Sequence, residues 1–211
     1  MNMRSEWDSV WTRNDLLSKI IDFGRGIYNI YFVKLLSSHS NRHTQMVEIG
    51  CGTSSAIIKL SGKIKKSVGL DISYEALKIS AKNAKLKQTK NISFVQGDSL
   101  NLPFNTNSFD LVWSQGLIEH LKNKKNAIKE HHRVCKAKGT VLISVPWKYS
   151  YVSIWWILTR PRFLRFLWPW TDQEFYTIKK FKNKLRALGI NNYKILSNLV
   201  LGIIILEIKK D

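Results

Sequence analysis

The stretch Val47-Glu48-Ile49-Gly50-Cys51-Gly52-Thr53-Ser54 combines a short apolar run with a glycine turn. This pattern predicts a buried strand, a tight turn and the start of a helix. Because glycine has no Cβ, Gly50 and Gly52 can adopt turn conformations that other residues avoid, and a ligand can approach their backbone. The arrangement is typical of a nucleotide-type cofactor site, although a lone Gly-x-Gly is weak evidence.

Two further acidic residues strengthen this interpretation. Asp71 follows the apolar run 67–70, about twenty residues after the glycine turn, where a carboxylate accepts hydrogen bonds from ribose hydroxyls. Asp98 follows the run 92–97. Three strand ends with acidic or glycine features predict a doubly wound α/β sheet that binds its ligand at the C-terminal edges of the strands.

With these features, the chain resembles the class I S-adenosylmethionine-dependent methyltransferases. Within that family it resembles the methyltransferase type 11 group and is similar to quinone-biosynthesis methyltransferases. The resemblance covers roughly residues 45–146. The matching segments, in the family's order, are residues 47–54, 69–73, 97–104, 108–121 and 132–146. Their order is more specific than any single motif.

The resemblance implies a single Rossmann-like domain over residues 1–211, with a mostly parallel seven-stranded sheet whose last strand is antiparallel. The expected divisions are N-terminal helices in 1–44, a cofactor-binding core in 45–146, a hydrophobic insertion in 147–176, and a final helix with two strands in 177–211. The sequence pattern itself predicts strands near 45–49, 67–71, 92–96, 108–113, 139–145, 193–197 and 200–208. It predicts helices near 53–61, 73–87, 122–136 and 177–188, and two helices in 9–37 separated at Gly24 and Gly26.

The resemblance also assigns cofactor-binding roles. Glu48 and the backbone of Gly50, Cys51 and Gly52 would face the methionine portion of S-adenosylmethionine. Asp71, followed by Ile72, would bind the ribose diol, although Asp71 could instead cap the next helix. The remaining expected contacts are Asp98 with Ser99 at the adenine amine and Gln115 near the methyl donor.

No general base is unambiguous. Methyl transfer is an in-line displacement on an activated sulfonium, so positioning and desolvation can supply much of the rate. His120 is the candidate for a catalytic base or polar orienter, against the alternative of a structural histidine that opens a helix beside Glu119. Asp110 is expected to anchor backbone, and Ser54 to cap a helix. The adjacent His131 and His132 point to different helix faces and predict no metal site.

Composition limits the remaining possibilities. The chain has 211 residues and two cysteines, which provide no disulfide framework and indicate a reducing compartment inside the cell. Its 34 Lys and Arg residues against 15 Asp and Glu give a net charge of +19, which attracts RNA, DNA or an anionic membrane surface. Many of these lysines could equally be solvated surface residues.

Residues 147–170 hold five of the eight tryptophans and four cationic residues without an acid. The apolar part, residues 149–158, is too short to span a bilayer. We therefore predict that the protein contacts the inner face of the membrane peripherally, through Trp155, Trp156, Arg162 and Arg165. The alternatives are a hydrophobic lid and a protein interface.

The leading prediction is a methyltransferase for a small, hydrophobic or lipid-like acceptor. An RNA methyltransferase is the alternative favoured by charge, but the chain lacks the Asn/Asp-Pro-Pro-Tyr/Phe run that clamps a flipped base, and has Ser114-Gln115-Gly116-Leu117 instead. A third possibility is a non-catalytic protein of this fold that binds a membrane or partner. The sequence does not indicate the oligomeric state.

Overall fold

The computed structural model describes residues 3–12, 16–159, 161 and 173–211. Arg162 and Arg165 lie outside these residues. The helices are α1 (Met3–Thr12), α2 (Leu16–Ser38), α3 (Ser55–Leu60), α4 (Tyr74–Leu86), α5 (Lys124–Val134), α6 (Tyr151–Leu158) and α7 (Ile178–Arg186). The strands are β1 (Gln45–Ile49), β2 (Lys66–Asp71), β3 (Ile92–Gln96), β4 (Phe109–Gln115), β5 (Cys135–Pro146), β6 (Tyr193–Asn198) and β7 (Ile203–Lys209).

The seven strands form one sheet in the order β3-β2-β1-β4-β5-β7-β6. Strands β1 to β5 pair in parallel, whereas β7 runs antiparallel to both β5 and β6. This is the predicted doubly wound α/β sheet with an antiparallel last strand. The C-terminal ends of β1 to β5 consequently share one edge, and β1 and β4 lie side by side at its centre.

Apolar layers cover both faces of the sheet. On one face, α5 and α7 contribute Ile128, Phe181 and Leu185 to a cluster that includes Val47 and Val112. On the other face, α2 and α3 contribute residues that pack against Met46 and Trp113; these are Phe32, Leu36, Ala56, Ile57 and Leu60. Strands that are buried on both faces have nearly continuous apolar sequences. This explains why the positions of these strands are predictable from the sequence.

Several predicted boundaries are wrong. Gly24 and Gly26 do not separate two helices, because both lie inside α2, and α1 ends earlier, at Thr12. Glycine weakens a helix by only about 1 kcal/mol, which the burial of Phe32 and Leu36 can offset. Val200 does not begin the last strand; it is exposed in a turn, and β7 begins at Ile203.

The predicted helix over 122–136 ends at Val134, and Cys135 already belongs to β5. Cys135 pairs with Phe109, and the regular register resumes only at Leu111 with Thr140. Between these pairs, Lys138 has a φ of 60°. A Cβ on Gly139 would lie 2.8 Å from the carbonyl oxygen of Lys136, so this irregular part of β5 requires glycine at position 139.

Helix α6 and the cap of α3 also differ from expectation. The apolar stretch after β5, for which no helix is predicted, forms the helix α6. Ser54 has a φ of 55° and makes no side-chain bond to α3, so it does not cap that helix. Ser73 is the N-cap of α4, and its hydroxyl accepts from the backbone N–H of Ala76. No described helix has the length and apolar character needed to cross a bilayer.

Candidate active site

The glycine turn lies at the C-terminal end of β1, at the centre of the sheet edge. Gly50 and Gly52 have φ angles of +69° and +51°, a region that favours glycine. The carboxylate of Asp71 holds this turn in place: Oδ2 accepts from the backbone N–H of Gly52 at 2.8 Å, and Oδ1 accepts from that of Ser73 at 2.9 Å. Asp71 therefore joins the turn to the start of α4, as well as lining the cavity.

Glu48 is buried beneath the turn. The indole N–H of Trp113 donates to its Oε1 at 3.1 Å, whereas Oε2 has no hydrogen-bond partner among the described residues. Burial raises the pKa of Glu48 to about 8; the Trp113 bond opposes this, and the charge of Asp71 adds to it. A buried carboxyl on a residue that lines the cavity, with one oxygen unsatisfied by the described residues, fits a cationic ligand group.

Asp98 and Ser99 follow β3 and line the same cavity. Asp98 shapes its own loop, because its Oδ1 accepts from the backbone N–H of Leu100 at 2.8 Å. Gln115, the last residue of β4, also lines the cavity, as do Cys51 and Ile72. All the cofactor-binding residues predicted from sequence are thus brought together, and their individual roles remain predictions.

The short 3-10 helix Ile118–His120 forms the next part of the wall. His120 lines the cavity, and its ring meets that of Trp7 edge to face, with centroids 5.2 Å apart. Its neighbour Glu119 also lines the cavity and is only 4% exposed. Asp110 lies elsewhere: its Oδ2 accepts from the backbone N–H of Gln45, so it anchors strand backbone as expected.

Helix α1 covers the glycine turn. The Ser73 hydroxyl donates to Oδ1 of Asp8 at 2.5 Å, and Trp7 and Trp11 line the cavity. A Cβ on Gly52 would lie 2.7 Å from the ring of Trp11. This cover is not apparent from the sequence, because the polar N-terminal residues do not indicate which distant residues they contact.

The other end of the cavity is apolar and aromatic. The hydroxyl of Tyr28 on α2 donates to the carbonyl of Leu201 at 2.6 Å and lies 2.9 Å from the hydroxyl of Tyr151 on α6. Trp155 and Ile203 line this end as well. The whole cavity has a volume of about 600 Å³, within the usual range for small-molecule sites.

Comparison with known proteins agrees with this geometry. Residues 47–143 match the family described as "Methyltransferase domain". The chain is 31% identical over 137 residues to a demethylmenaquinone methyltransferase of Staphylococcus carnosus. Over residues 47–143 the chain is therefore similar to S-adenosylmethionine-dependent methyltransferase domains.

The sequence similarity to the staphylococcal protein covers only part of each chain. The aligned part is 63% of this chain and 55% of the staphylococcal relative, so the chain spans about half the length of the curated relatives it matches. A structure from Methanococcus maripaludis, described as an S-adenosyl-L-methionine-dependent methyltransferase, superposes on this chain with a TM-score of 0.68. The two chains are 25% identical, and the match covers 88% of this chain and 86% of that chain.

A more distant structure shows the same fold. The magnesium protoporphyrin IX methyltransferase of Synechocystis, solved with bound SAH, has a TM-score of 0.69 and 17% identity, with 98% of this chain and 94% of that chain covered.

Among the described residues, no three His, Cys, Asp or Glu side chains are grouped so that they could hold a metal ion.

Proposed function

We propose that this methyltransferase transfers a methyl group from S-adenosylmethionine to a small, hydrophobic, quinone-like acceptor. The observation that carries the proposal is one continuous cavity with two chemically different ends. Carboxylates and glycine backbone line one end, and aromatic and aliphatic side chains line the other. The staphylococcal relative is a demethylmenaquinone methyltransferase, which supports an acceptor of this class.

The acidic end fits the cofactor. Oε2 of Glu48, which has no hydrogen-bond partner among the described residues, suits a positively charged group, and the two glycines, both at a positive φ, bring turn backbone to the cavity wall. When bound, S-adenosylmethionine supplies an activated methyl on a sulfonium. The chain's own contribution is to orient the two reactants and exclude water, with α1 above the glycine turn and α6 beside the acceptor end.

We further propose that the acceptor enters from an anionic membrane surface. Helix α6 contains only uncharged residues, and Ile154, Ile157 and Leu158 on it are each 59% exposed. Tyr151 and Trp155 on the same helix are exposed and also line the cavity, so the apolar surface and the acceptor end adjoin. The net charge of +19 complements anionic lipids.

The test is methyl transfer from labelled S-adenosylmethionine into separate lipid-extract and RNA fractions. We expect label in the lipid fraction with wild type and a strongly reduced amount with Asp71→Ala. Label in RNA alone would favour the nucleic-acid alternative. Absence of cofactor binding in calorimetry would contradict the proposal and favour a non-catalytic binding protein.

A further inference from the structure

Two rows of cations lie on the surface of α5 and α7, the helices that cover one face of the sheet. On α7, Lys179, Lys182 and Arg186 are exposed and spaced at i, i+3 and i+7. On α5, Lys125 and Lys129 are exposed and spaced at i and i+4. Residues three and four apart are neighbours on a helix surface, so each set forms a row with about one helical turn, roughly 5 Å, between successive side chains.

The two rows belong to one electrostatic surface. Burial lowers the pKa of Lys184 on α7, and the charge of Glu174 opposes this effect. Three other lysines lower that pKa further, and these are Lys124 and Lys125 on α5 and Lys180 on α7. Because the interaction between charges weakens with distance and with screening, a lysine of α7 that responds to two lysines of α5 places the cations of both helices side by side.

Acidic side chains neutralise little of this surface. Glu174 is paired with Lys124 and Lys180. Glu130, the acid on α5, is paired with Arg133. The five cations of the two rows form no ion pair with a described residue. Since like charges one turn apart destabilise a helix, a partner that supplies negative charge would stabilise both rows.

The chemistry of the rows fits a chain of phosphates better than a lipid bilayer. Among the large apolar side chains that α5 and α7 carry, only Ile178 is exposed, at 37%. The rows therefore offer charge without the apolar side chains that enter a bilayer interface. Helix α6 has such side chains, but it is joined through Tyr151 to Tyr28 of α2, and α2 packs on the opposite face of the sheet from α5 and α7.

We propose that the two rows bind the phosphate backbone of a single-stranded nucleic acid. A flexible strand can follow the cations of both helices, and each phosphate contact releases condensed counterions, so binding depends strongly on salt and little on base sequence. The proposal goes beyond methyl transfer. None of the five row residues lines the cavity, so the strand is a partner that binds outside the active site.

The experiment measures the fluorescence anisotropy of a labelled single-stranded RNA of mixed sequence, about 20 nucleotides long, between about 50 and 300 mM salt. Two variants each remove two cations from one helix, and these are Lys125→Gln/Lys129→Gln and Lys182→Gln/Arg186→Gln. The matched control is Lys82→Gln/Lys85→Gln, which has the same net charge as either variant. Its two lysines are also exposed and neighbouring, but they lie on α4, which contacts α3 on the other face of the sheet. Circular dichroism verifies that each protein folds.

We expect the logarithm of the wild-type association constant to fall with the logarithm of salt concentration at a slope of about −3.5, since five contacts to a single strand contribute about 0.7 each. Each row variant should reduce the magnitude of that slope by about 1.4 and weaken binding about tenfold or more at low salt. The α4 control should stay within about twofold of wild type. Affinity for S-adenosylmethionine in calorimetry should be the same in all four proteins.

Three results would overturn the proposal. Wild type that does not bind the RNA at low salt would exclude a nucleic-acid surface. An equal loss of affinity in the α4 control would show that net charge alone attracts the RNA. Co-sedimentation with phosphatidylserine-containing vesicles tests the other polyanion: the row variants should bind these vesicles like wild type, and a loss of vesicle binding in them would make the rows a membrane contact instead.

Discussion

Asp71 and Gly52 are joined by a 2.8 Å hydrogen bond from the glycine N–H to the carboxylate, which connects the end of β2 to the turn after β1. The same carboxylate also accepts from the backbone of Ser73. Burial raises the pKa of Asp71, and the backbone bonds partly reverse this. Asp71 therefore has two roles: it holds the turn, and it is predicted to bind the ribose.

We expect Asp71→Ala to weaken S-adenosylmethionine binding by about 1–3 kcal/mol in calorimetry, because charged hydrogen bonds are lost. It should also lower the free energy of unfolding, since two backbone donors lose their acceptor. Asp110→Ala is the control: that carboxylate also anchors a backbone N–H but lies outside the cavity. If both variants lose cofactor affinity equally, the effect of Asp71 is only structural.

The glycine turn gives a second prediction. In Gly52→Ala, the added methyl would clash with Trp11, and alanine is strained at a positive φ. We expect faster cofactor dissociation in stopped-flow experiments and a less stable protein. Trp11→Ala in the Gly52→Ala background should recover part of the stability, because the clash disappears and only the backbone strain remains. Gly62→Ala, which has open space around it, is the neutral control.

A related substitution tests the predicted role of Gly50. The Cβ of Gly50→Val would lie 3.1 Å from Leu117 at a φ of +69°. The branched side chain should therefore disturb the turn and abolish most cofactor binding. A folded Gly50→Val protein with normal affinity in calorimetry would contradict the assignment of this turn to the cofactor.

Glu48 leads to a prediction about protons. Because the pKa of Glu48 is raised to about 8, the carboxyl is mainly protonated at pH 7 in the free protein. A cationic ligand favours the ionised form, so binding should release up to about one proton, and affinity should rise between about pH 6 and 8. Calorimetry in two buffers of different ionisation enthalpy measures this release.

The matched comparison uses Glu48→Gln and Glu130→Gln. Glu48→Gln should bind S-adenosylmethionine more weakly and with no proton release. Glu130 is paired with Arg133, which lowers its pKa, so it stays ionised throughout and its substitution should change neither quantity. Equal proton release in wild type and Glu48→Gln would exclude Glu48 as the group that responds to the ligand.

The sequence predicts those parts of the site that depend on local pattern. Buried strands, the glycine turn and the acids at strand ends are all readable within a few residues, and the sheet then brings Glu48, Asp71 and Asp98 to one edge. The contacts of α1 could not be predicted, because Asp8 and Ser73 are separated by 65 positions. In the sequence, Glu119 stands out only as the neighbour of His120, because its burial and the lack of a hydrogen-bond partner for its Oε2 among the described residues are visible only in three dimensions.

The exposed face of α6 leads to the final prediction, that the protein binds anionic vesicles peripherally. Two contributions are expected. Basic residues, with Arg162 and Arg165 predicted among them, contribute roughly 1 kcal/mol each near an anionic surface, and salt weakens this part. Burial of Ile154, Ile157 and Trp155 in the interfacial zone contributes a part that salt does not screen.

Co-sedimentation with phosphatidylserine-containing and purely zwitterionic vesicles, at low and high salt, separates the two contributions. Ile154→Ser/Ile157→Ser should reduce binding about tenfold or more at both salt concentrations, since each loss of apolar burial is worth roughly 1–2 kcal/mol. Arg162→Glu/Arg165→Glu should reduce binding mainly at low salt. Leu86→Ser, at a side chain that is 70% exposed at the end of α4, is the control and should bind like wild type. Wild type that remains in the supernatant with anionic vesicles at low salt, or an equal loss in Leu86→Ser, would show that α6 is not a membrane contact, and the proposed entry of the acceptor from the bilayer would then be wrong.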